Sequence, residues 1–405
     1  MNKIKSIFVS ILLIVSILAI LNPVSAATLE VGPGKTYTTI GAAIAAANNG
    51  DTITVYPATY NENIVIDKSL TIQGIDKTTT KIRGTAGEIK TVSIKASNVV
   101  LKNLTIYNDQ RPSDPNPSSA IFLVEIGYHG VSNITLENNI IGPQMAADGT
   151  SGGGMAVAIG GVTVPTTNIT IKNNEIRDIK GNGCGIFIWA AKAKNGGGVG
   201  YNGLVQNVLI ENNYIHDIRR TGIESAGNVK DITIKNNTIK NCGGMFIGDV
   251  HPKYGNGIAL FKNGTYEVNA PGEDSERRNI LISNNVIQNV SNIGVYLFGS
   301  SHDVTIEYNR LTQINKYGIM LDSLAGSDTP DPSQPLPSLK YKQKDDAFSN
   351  IKLIRNIFVA NGKNIEIRTT YTPVIVNTLE GSIEKIAKVL GLGKSKPTGE
   401  IIEED

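Results

Sequence analysis

Two short segments of the sequence concentrate side chains that can move protons or hold an acidic ligand. The first is HDIRRTGIE from His216, and the second is GDVHPKYGNGI from Gly248. Carboxylates, imidazoles and phenols act as general acids and bases, and Arg or Lys can clamp a carboxylate of the substrate. The sequence therefore predicts a catalytic set consisting of Glu224, His251, Arg220, Asp249 and Tyr254, with Arg219 and Lys253 as binding residues.

These residue types suit two kinds of reaction. β-Elimination or epimerisation of a uronate needs a base, an acid and a clamp for the uronate carboxylate. Hydrolysis needs two carboxyls that flank the bond, and Glu224 with Asp249 or Asp322 are the candidate pairs. The structural alternative is that both arginines simply pair with Asp217 or Glu224, and that the other charges are solvated.

A repeated phrase, roughly Asn-Ile-Thr-Ile-Lys-Asn-Asn-Xaa-Ile, indicates which elements position these residues. It reads NITLENNII from Asn133, NITIKNNEI from Asn168, NVLIENNYI from Asn207, DITIKNNTI from Asp231, NILISNNVI from Asn279, DVTIEYNRL from Asp303 and NIKLIRNIF from Asn350. Its last Asn recurs after 24 residues, at Asn213 and Asn237 and again at Asn285 and Asn309. Apolar and polar residues alternate within the phrase, which is typical of a strand. The repeat predicts an all-β, right-handed parallel β-helix, because the Leu framework and helix of leucine-rich repeats are missing.

The last Asn of each phrase is predicted to be part of the scaffold. Coils of a β-helix lie about 4.8 Å apart, so equivalent side chains stack. An amide carries both a donor and an acceptor, so a column of amides can hydrogen-bond from coil to coil. The column consists of Asn139, Asn174, Asn213, Asn237, Asn285, Asn309 and Asn356.

A second strand that starts at Gly follows each phrase, and it defines the candidate binding face. These strands are GIFIW from Gly185, GIESA from Gly222, GIALF from Gly257, GVYLF from Gly294 and GIMLD from Gly318. Period two predicts an outward set made of Phe187, Trp189, Glu224, Ala226, Ala259, Phe261, Tyr296, Phe298, Met320 and Asp322.

Long connections flank these strands on both sides, so we expect them to form the walls of a groove. The outward aromatic residues would then form an exposed floor on which sugar rings stack. The alternative is that the flanking loops bury the aromatic residues as a satellite core. The predicted substrate-binding residues are Phe187, Trp189, Phe261, Tyr296, Phe298, Asp322, Arg219 and Lys253.

The Ile and Asn columns and the Gly-started strands resemble the pectin-lyase-like superfamily of right-handed β-helices over nearly the whole mature chain. The most specific portion is YTTIGAAIAAANNGDTITVYPATYNENIVIDKSLTIQGI from Tyr37, which is similar to the entry segment of pectin methylesterases and many exported β-helix proteins. Within it, Ile40 to Ala47 is expected to be a short helix that caps the open end of the solenoid.

The resemblance implies the fold and leaves the activity open, since the superfamily hosts several chemistries. The Gln-Asp, Asp-Phe and Leu-Gly-Arg-Pro-Trp elements of pectin methylesterases are absent. The ordered Asn-Thr-Asp, Asp-Asp, Gly-His-Gly and Arg-Ile-Lys series of polygalacturonases is absent as well. Both activities are therefore disfavoured.

The N-terminus and the composition predict an exported protein with a single domain. Lys3 and Lys5, an apolar run from Ile7 to Leu21 and the small residues up to Ala26 are typical of a signal peptide over residues 1–26. Without those two of the 38 Lys and Arg residues, 36 cationic residues balance 36 acidic ones, which argues against nucleic acid or a membrane surface as partner. We expect a β-helix domain over residues 27–377, and a C-terminal amphipathic capping helix and polar tail over residues 378–405.

The sequence favours free thiols and no cofactor. Cys184 and Cys242 are the only cysteines and precede strands about two coils apart, although a disulfide between them stays open if the Cys242 loop folds back. Calcium binding is a further alternative to a solvated acidic loop at Asp328, Asp331, Asp345 and Asp346.

The main functional prediction is a secreted or cell-surface polysaccharide-active protein without a membrane span in the mature chain. Catalysis as a lyase, epimerase or hydrolase is favoured by the lengthened loops and by the acids near them. The alternatives are a non-catalytic envelope or adhesive protein that binds glycan through the same groove, and a purely structural surface protein. The sugar and the oligomeric state are left open.

Overall fold

The repeated phrase folds into two strands joined by a tight turn, and the Gly-started strand adds a third. A computed structural model describes residues 26–86, 88–110, 121–127, 130–144, 154–161, 163–180, 183–190, 203–243, 255–261, 277–299, 301–322, 348–368 and 373–376. In the repeat from Asn207 the three strands are β17 (Val205–Glu211), β18 (Tyr214–Ile218) and β19 (Thr221–Gly227). They form one coil, and each pairs in parallel with its equivalent in the next coil.

Stacking of the coils produces three parallel sheets, named A, B and C here. Sheet A contains β1 (Thr28–Val31), β2 (Thr52–Val55), β5 (Thr71–Gly74), β8 (Val99–Lys102), β11 (Ser132–Glu137), β14 (Thr166–Lys172), β17, β20 (Val229–Lys235), β23 (Arg277–Ser283), β26 (Ser301–Glu307), β29 (Phe348–Ile354) and β32 (Val374–Val376). Sheet B contains β3 (Ala58–Asn61), β6 (Thr80–Arg83), β9 (Thr105–Asn108), β12 (Ile140–Gln144), β15 (Glu175–Ile179), β18, β21 (Thr238–Cys242), β24 (Val286–Val290), β27 (Arg310–Ile314) and β30 (Ile357–Val359). Sheet C contains β4 (Ile64–Ile66), β7 (Lys90–Ile94), β10 (Ile121–Gly127), β13 (Gly154–Gly161), β16 (Cys184–Ala190), β19, β22 (Asn256–Phe261), β25 (Ile293–Phe298), β28 (Tyr317–Asp322) and β31 (Lys363–Arg368).

The strand register keeps equivalent apolar residues in line, which builds one core inside the solenoid. Ile232 pairs with Val208 in the preceding coil and with Ile280 in the following one. All three are buried in the main hydrophobic cluster. The predicted parallel β-helix is therefore confirmed.

The buried Asn column forms the predicted hydrogen-bonded ladder. The backbone N–H and the Nδ2 of Asn213 both donate to the Oδ1 of Asn237, at 2.9 and 3.0 Å. Asn237 donates in the same way to Asn285, and its Nδ2 also donates to the carbonyl of Ile210 at 2.9 Å. The same pairing continues along the column Asn139, Asn174, Asn213, Asn237, Asn285, Asn309 and Asn356. Each amide thus satisfies backbone groups of the preceding coil.

Two further Asn positions of the phrase have a conformational role that the sequence analysis did not assign. Asn207 and Asn212 have φ of 57° and 55°, in the left-handed region that Asn tolerates better than other residues with a side chain. Asn207 also donates through Nδ2 to the Oδ1 of Asn168 at 2.6 Å, so a second, exposed ladder runs beside the strands of sheet A. Asn212 turns the chain between β17 and β18, whereas Asn207 bends the chain within β17.

Glycine is the second residue of β16, β19, β22, β25 and β28 because the coils approach closely there. A Cβ on Gly222 would lie 2.7 Å from the Gly257 carbonyl oxygen, and one on Gly257 would lie 2.6 Å from that of Gly294. Only glycine avoids this clash with the backbone of the next coil.

The predicted N-terminal cap is present as helix α1, Ile40–Ala46. It buries Ile40 and Ile44 against the first coils. Its first backbone N–H groups donate to the Glu62 carboxylate, at 2.8 Å from Ile40 and 3.0 Å from Gly41. Lys68 donates to carbonyls at the other end of the helix. The opposite charges match the helix dipole at both ends.

The other terminal predictions concern residues outside the described part of the chain. The predicted signal peptide, apart from Ala26, and the predicted helix from Leu379 to Leu390 both lie there. Both stay predictions.

We expect Asn237→Leu to destabilise the protein strongly, because it leaves the N–H and Nδ2 of Asn213 and the Ile210 carbonyl without their partner. Each buried group that loses its hydrogen bond costs about 1–3 kcal/mol of unfolding free energy. Thr233→Leu is the matched control, since Thr233 faces outward and its register neighbours Leu209 and Leu281 already are leucines. Chemical denaturation measures both variants, and equal stability would contradict the structural role of the ladder.

Candidate functional site

The longest connections of the chain all adjoin strands of sheet C. They run between β21 and β22, between β22 and β23, and between β28 and β29, and others follow β16 and precede β10 and β13. By contrast, each sheet A strand is joined to the following sheet B strand by a turn of two residues through the middle of the chain. Sheet C is therefore the face along which the sequence departs from the plain repeat, as predicted.

Two glycines, Gly243 and Gly255, lie close together at the two ends of the connection between β21 and β22. A Cβ on Gly243 would lie 2.3 Å from the Gly255 Cα, so the connection leaves and returns at one point. Gly243 also donates to the carbonyl of Ile218, which places this point one coil after Arg219. The connection carries four predicted site residues that lie outside the described residues, namely Asp249, His251, Lys253 and Tyr254.

The strand register confirms the outward set on sheet C. One column runs Ala158, Phe187, Glu224, Ala259, Tyr296 and Met320, and the next runs Gly160, Trp189, Ala226, Phe261, Phe298 and Asp322. The residues that alternate with them along the strands, such as Ile186, Ile223 and Leu260, belong to the main core.

The prediction that the outward residues of sheet C are exposed is wrong for much of the sheet. Tyr296 is 2% exposed, Phe298 is 6% exposed, and Met320 and Asp322 are fully buried. With Ala259 and Ile293, the first three form a second hydrophobic cluster, so the alternative of a satellite core holds for β22 to β28. Period two fixes the direction of a side chain, whereas its cover depends on residues far along the chain.

Phe187 and Trp189 on β16 are the predicted aromatic residues that stay partly exposed. Phe187 is the register partner of Glu224, and Trp189 is that of Ala226. The side chain of Phe261 lies outside the described part of the structure. An accessible aromatic surface therefore lies one coil before Glu224.

Glu224 is a nearly buried carboxylate with two partners. Its Oε1 accepts a hydrogen bond from Arg220 Nη2 at 3.4 Å, and its Oε2 accepts one from the Cys184 thiol at 3.3 Å. The Glu224 side chain is 6% exposed and that of Arg220 is 26% exposed. Burial, followed by the charge of Glu224, raises the pKa of the Cys184 thiol well above its ordinary value, so the thiol keeps its proton. The pairing of Arg220 with Glu224 was one of the alternatives open from the sequence.

The segment from His216 to Glu224 does not converge on one point, because the turn at Arg219 and Arg220 separates two sheets. His216 lies on sheet B, where its Nδ1 is 2.6 Å from Asp217 Oδ2 and its Nε2 is 3.4 Å from Glu175 Oε1.

The pKa of Asp217 depends on contacts within the same cluster on sheet B. Burial raises the pKa of Asp217, but hydrogen bonds from His216 and Asn241 outweigh it, and the net pKa is lowered. His216 and Asp217 thus form a surface cluster apart from Glu224.

Glu224 and Asp322 cannot act together as a hydrolytic pair. Three coil steps separate β19 from β28, which places the two carboxyls about 14 Å or more apart. Glycosidases need their carboxyls within about 10 Å of each other. Glu125, the other buried acid on the same column as Glu224, also lies three coils away and pairs with Lys90 at 2.6 Å.

The cysteines are buried and free. Cys184 begins β16 on sheet C, whereas Cys242 ends β21 on sheet B two coils later, too far for the roughly 7 Å limit between the Cα atoms of a disulfide. Burial also raises the pKa of the Cys242 thiol.

The acids Asp328, Asp331, Asp345 and Asp346 of the possible calcium site lie outside the described residues. Within the residues that the structure does describe, no group of three His, Cys, Asp or Glu side chains could hold a metal ion.

The chain matches the family described as right-handed beta helix region over residues 160–272 and 195–329. None of the curated proteins matches it in sequence. In the part of the chain described here, no helix is long and apolar enough to cross a membrane.

Several solved structures are similar to this chain. The A-module of the mannuronan C-5 epimerase AlgE6 of Azotobacter vinelandii is 14% identical, with 83% of this chain and 92% of that chain covered and a TM-score of 0.42. The enzymatically active domain of tailspike protein 2 of bacteriophage CBA120 is 10% identical, with 87% and 47% covered and a TM-score of 0.48. The catalytic domain of a GH87 α-1,3-glucanase is 13% identical, with 87% and 69% covered and a TM-score of 0.37. At this level of identity the similarity concerns the fold.

We expect Phe298→Ala to destabilise the protein by about 3–5 kcal/mol, since it removes a buried aromatic ring from the second hydrophobic cluster. Phe187→Ala is the matched comparison on the same face and should cost less, because Phe187 is partly exposed. Denaturant midpoints of the two variants measure the difference. A smaller effect for Phe298 than for Phe187 would contradict a satellite core.

Proposed function

We propose that this right-handed parallel β-helix is an exported polysaccharide-active protein that binds a glycan on sheet C beside Glu224. The observation that carries this proposal is the pairing of a buried Glu224 with Arg220, one coil from the partly exposed Phe187. Sugar rings present apolar C–H surfaces that stack on aromatic rings, and an acid or base beside them can act on the bound ring.

The residues favour chemistry that uses a single carboxylate. In β-elimination, Glu224 would take the proton next to the carboxylate of a uronate, a carbon–carbon double bond would form and the bond to the leaving sugar oxygen would break. In epimerisation, a proton would return to the same carbon from the opposite face. Arg219 or Arg220 would bind the uronate carboxylate, and His251 or Tyr254 would supply the second proton-transferring group. Hydrolysis remains a proposal only for Glu224 with Asp249.

A non-catalytic glycan-binding protein of the cell envelope is the second candidate. It is favoured by the contacts of Glu224, because an ion pair and a thiol hydrogen bond also suit a purely structural acid in a buried position. The enzyme hypothesis and this one make different predictions for turnover.

The test of catalysis is incubation of the mature protein with neutral and uronate-containing polysaccharides. New reducing ends with ultraviolet absorbance indicate elimination, new ends alone indicate hydrolysis, and proton NMR of the intact polymer detects epimerisation. We expect Glu224→Gln to lower the rate by at least about 100-fold, because the amide keeps the shape but cannot accept the proton.

The matched control is Glu125→Gln. Glu125 is equally buried on the same outward column, and its carboxylate is bound by Lys90 and Ser93. This variant should keep the activity of the wild type, with thermal melting used to compare the folds of both variants. An equal loss of activity in both variants would contradict an acid–base role for Glu224. If the protein binds glycan but turns over none of the substrates, the enzyme hypothesis is replaced by the glycan-binding one.

We further expect Trp189→Ala to weaken retention on glycan affinity gels without loss of the fold, because it removes a partly exposed aromatic ring of sheet C. Tyr214→Ala is the matched control, since Tyr214 is 42% exposed on sheet B. Retention reduced equally in both variants would contradict binding at sheet C.

A further inference from the structure

The two hydrogen-bond donors to Glu224 differ in kind and in place. Arg220 lies in the turn between sheets B and C and donates to Oε1, whereas Cys184 begins the neighbouring strand β16 and donates to Oε2. Cys184 is 1% exposed. Each carboxylate oxygen thus has one donor, and the two donors together fix the plane of the carboxylate.

A carboxylate in a buried position needs hydrogen-bond donors for its oxygens. Arg220 is partly exposed, and water screens part of its attraction. The contribution of Cys184 is not screened in this way. Its raised pKa keeps the thiol protonated at neutral pH, so that the sulfur can only donate to the carboxylate.

We propose that Cys184 is a positioning residue that fixes the orientation of the Glu224 carboxylate through its hydrogen bond to Oε2. The consequence for turnover rests on the proposed function, whereas the effect on the carboxylate does not.

Two other parts of the molecule provide internal comparisons. Cys242 is equally buried, but its contact is a long one, 3.7 Å from its Sγ to the Lys240 carbonyl. Glu125 shares the face and the burial of Glu224, but its donors are Lys90 and Ser93. A buried thiol and a buried carboxylate therefore occur elsewhere without each other.

Infrared spectroscopy tests the proposal without any substrate. The stretching bands of the Glu224 carboxylate are obtained as the difference between wild type and Glu224→Gln at one fixed pH. In Cys184→Ala we expect these bands to shift and broaden, because Oε2 loses its donor. Cys184→Ser should restore the wild-type behaviour because its hydroxyl still donates, and Cys242→Ala should not change it.

A second measurement avoids dependence on the folding of a cysteine variant. In the wild type, the S–H stretch of Cys184 should differ from that in Glu224→Gln, while that of Cys242 stays the same. An unchanged S–H stretch, or a band shift in Cys184→Ala no larger than in Cys242→Ala, would overturn the proposal.

Kinetics then connect the contact with turnover. A carboxylate that is no longer held in place is misoriented for proton transfer, so kcat should fall in Cys184→Ala with KM unchanged, and Cys184→Ser should restore it. A merely structural role predicts no recovery of kcat with serine. If no polysaccharide is turned over, the proposed function fails, and the infrared result still decides the role of Cys184.

Discussion

The structure depends on the spacing of about 4.8 Å between coils, which places each side chain directly against its equivalent in the next coil. Only residues that are compatible with a copy of themselves can occupy a column inside the solenoid. Ile and Val satisfy this condition by packing, and Asn satisfies it by pairing an amide donor with an amide acceptor. The buried Asn ladder also satisfies backbone groups next to the turn between sheets A and B.

The same spacing is unfavourable for charges, because like charges in one column repel. On sheet A, basic and acidic residues alternate from coil to coil along one column. Lys172 lies 3.2 Å from Glu137, and Lys235 lies 2.9 Å from Glu211. On sheet C the two buried glutamates are placed three coils apart, and each is bound by its own cation. A carboxylate that has no second acid next to it in its column interacts with its own set of neighbours, which is a condition for a role in binding or catalysis.

Sheet C combines the features that a bare solenoid does not need. It carries the long connections, the second hydrophobic cluster and Glu224, whereas sheets A and B present alternating polar side chains. On one side of Glu224, the second cluster packs the outward face of β22 to β28. The partly exposed aromatic residues of β16 lie on the other side. The surface available to a ligand is therefore shorter than the full row of outward aromatic residues.

The sequence by itself determined the coil, the Asn ladder, the capping helix and the side-chain directions on β16, β19, β22, β25 and β28, since these follow from short periods and from stacking of equivalent residues. It also offered the pairing of Arg220 with Glu224 as the structural alternative to a functional role for these residues. Only the tertiary structure decided that Tyr296 and Phe298 are buried, that His216 belongs to another sheet, and that Cys184 donates to Glu224 from 40 residues away. The physical reason is that these outcomes depend on where the corners fall and on how neighbouring coils cover one another, and a strand of period two carries no information about either.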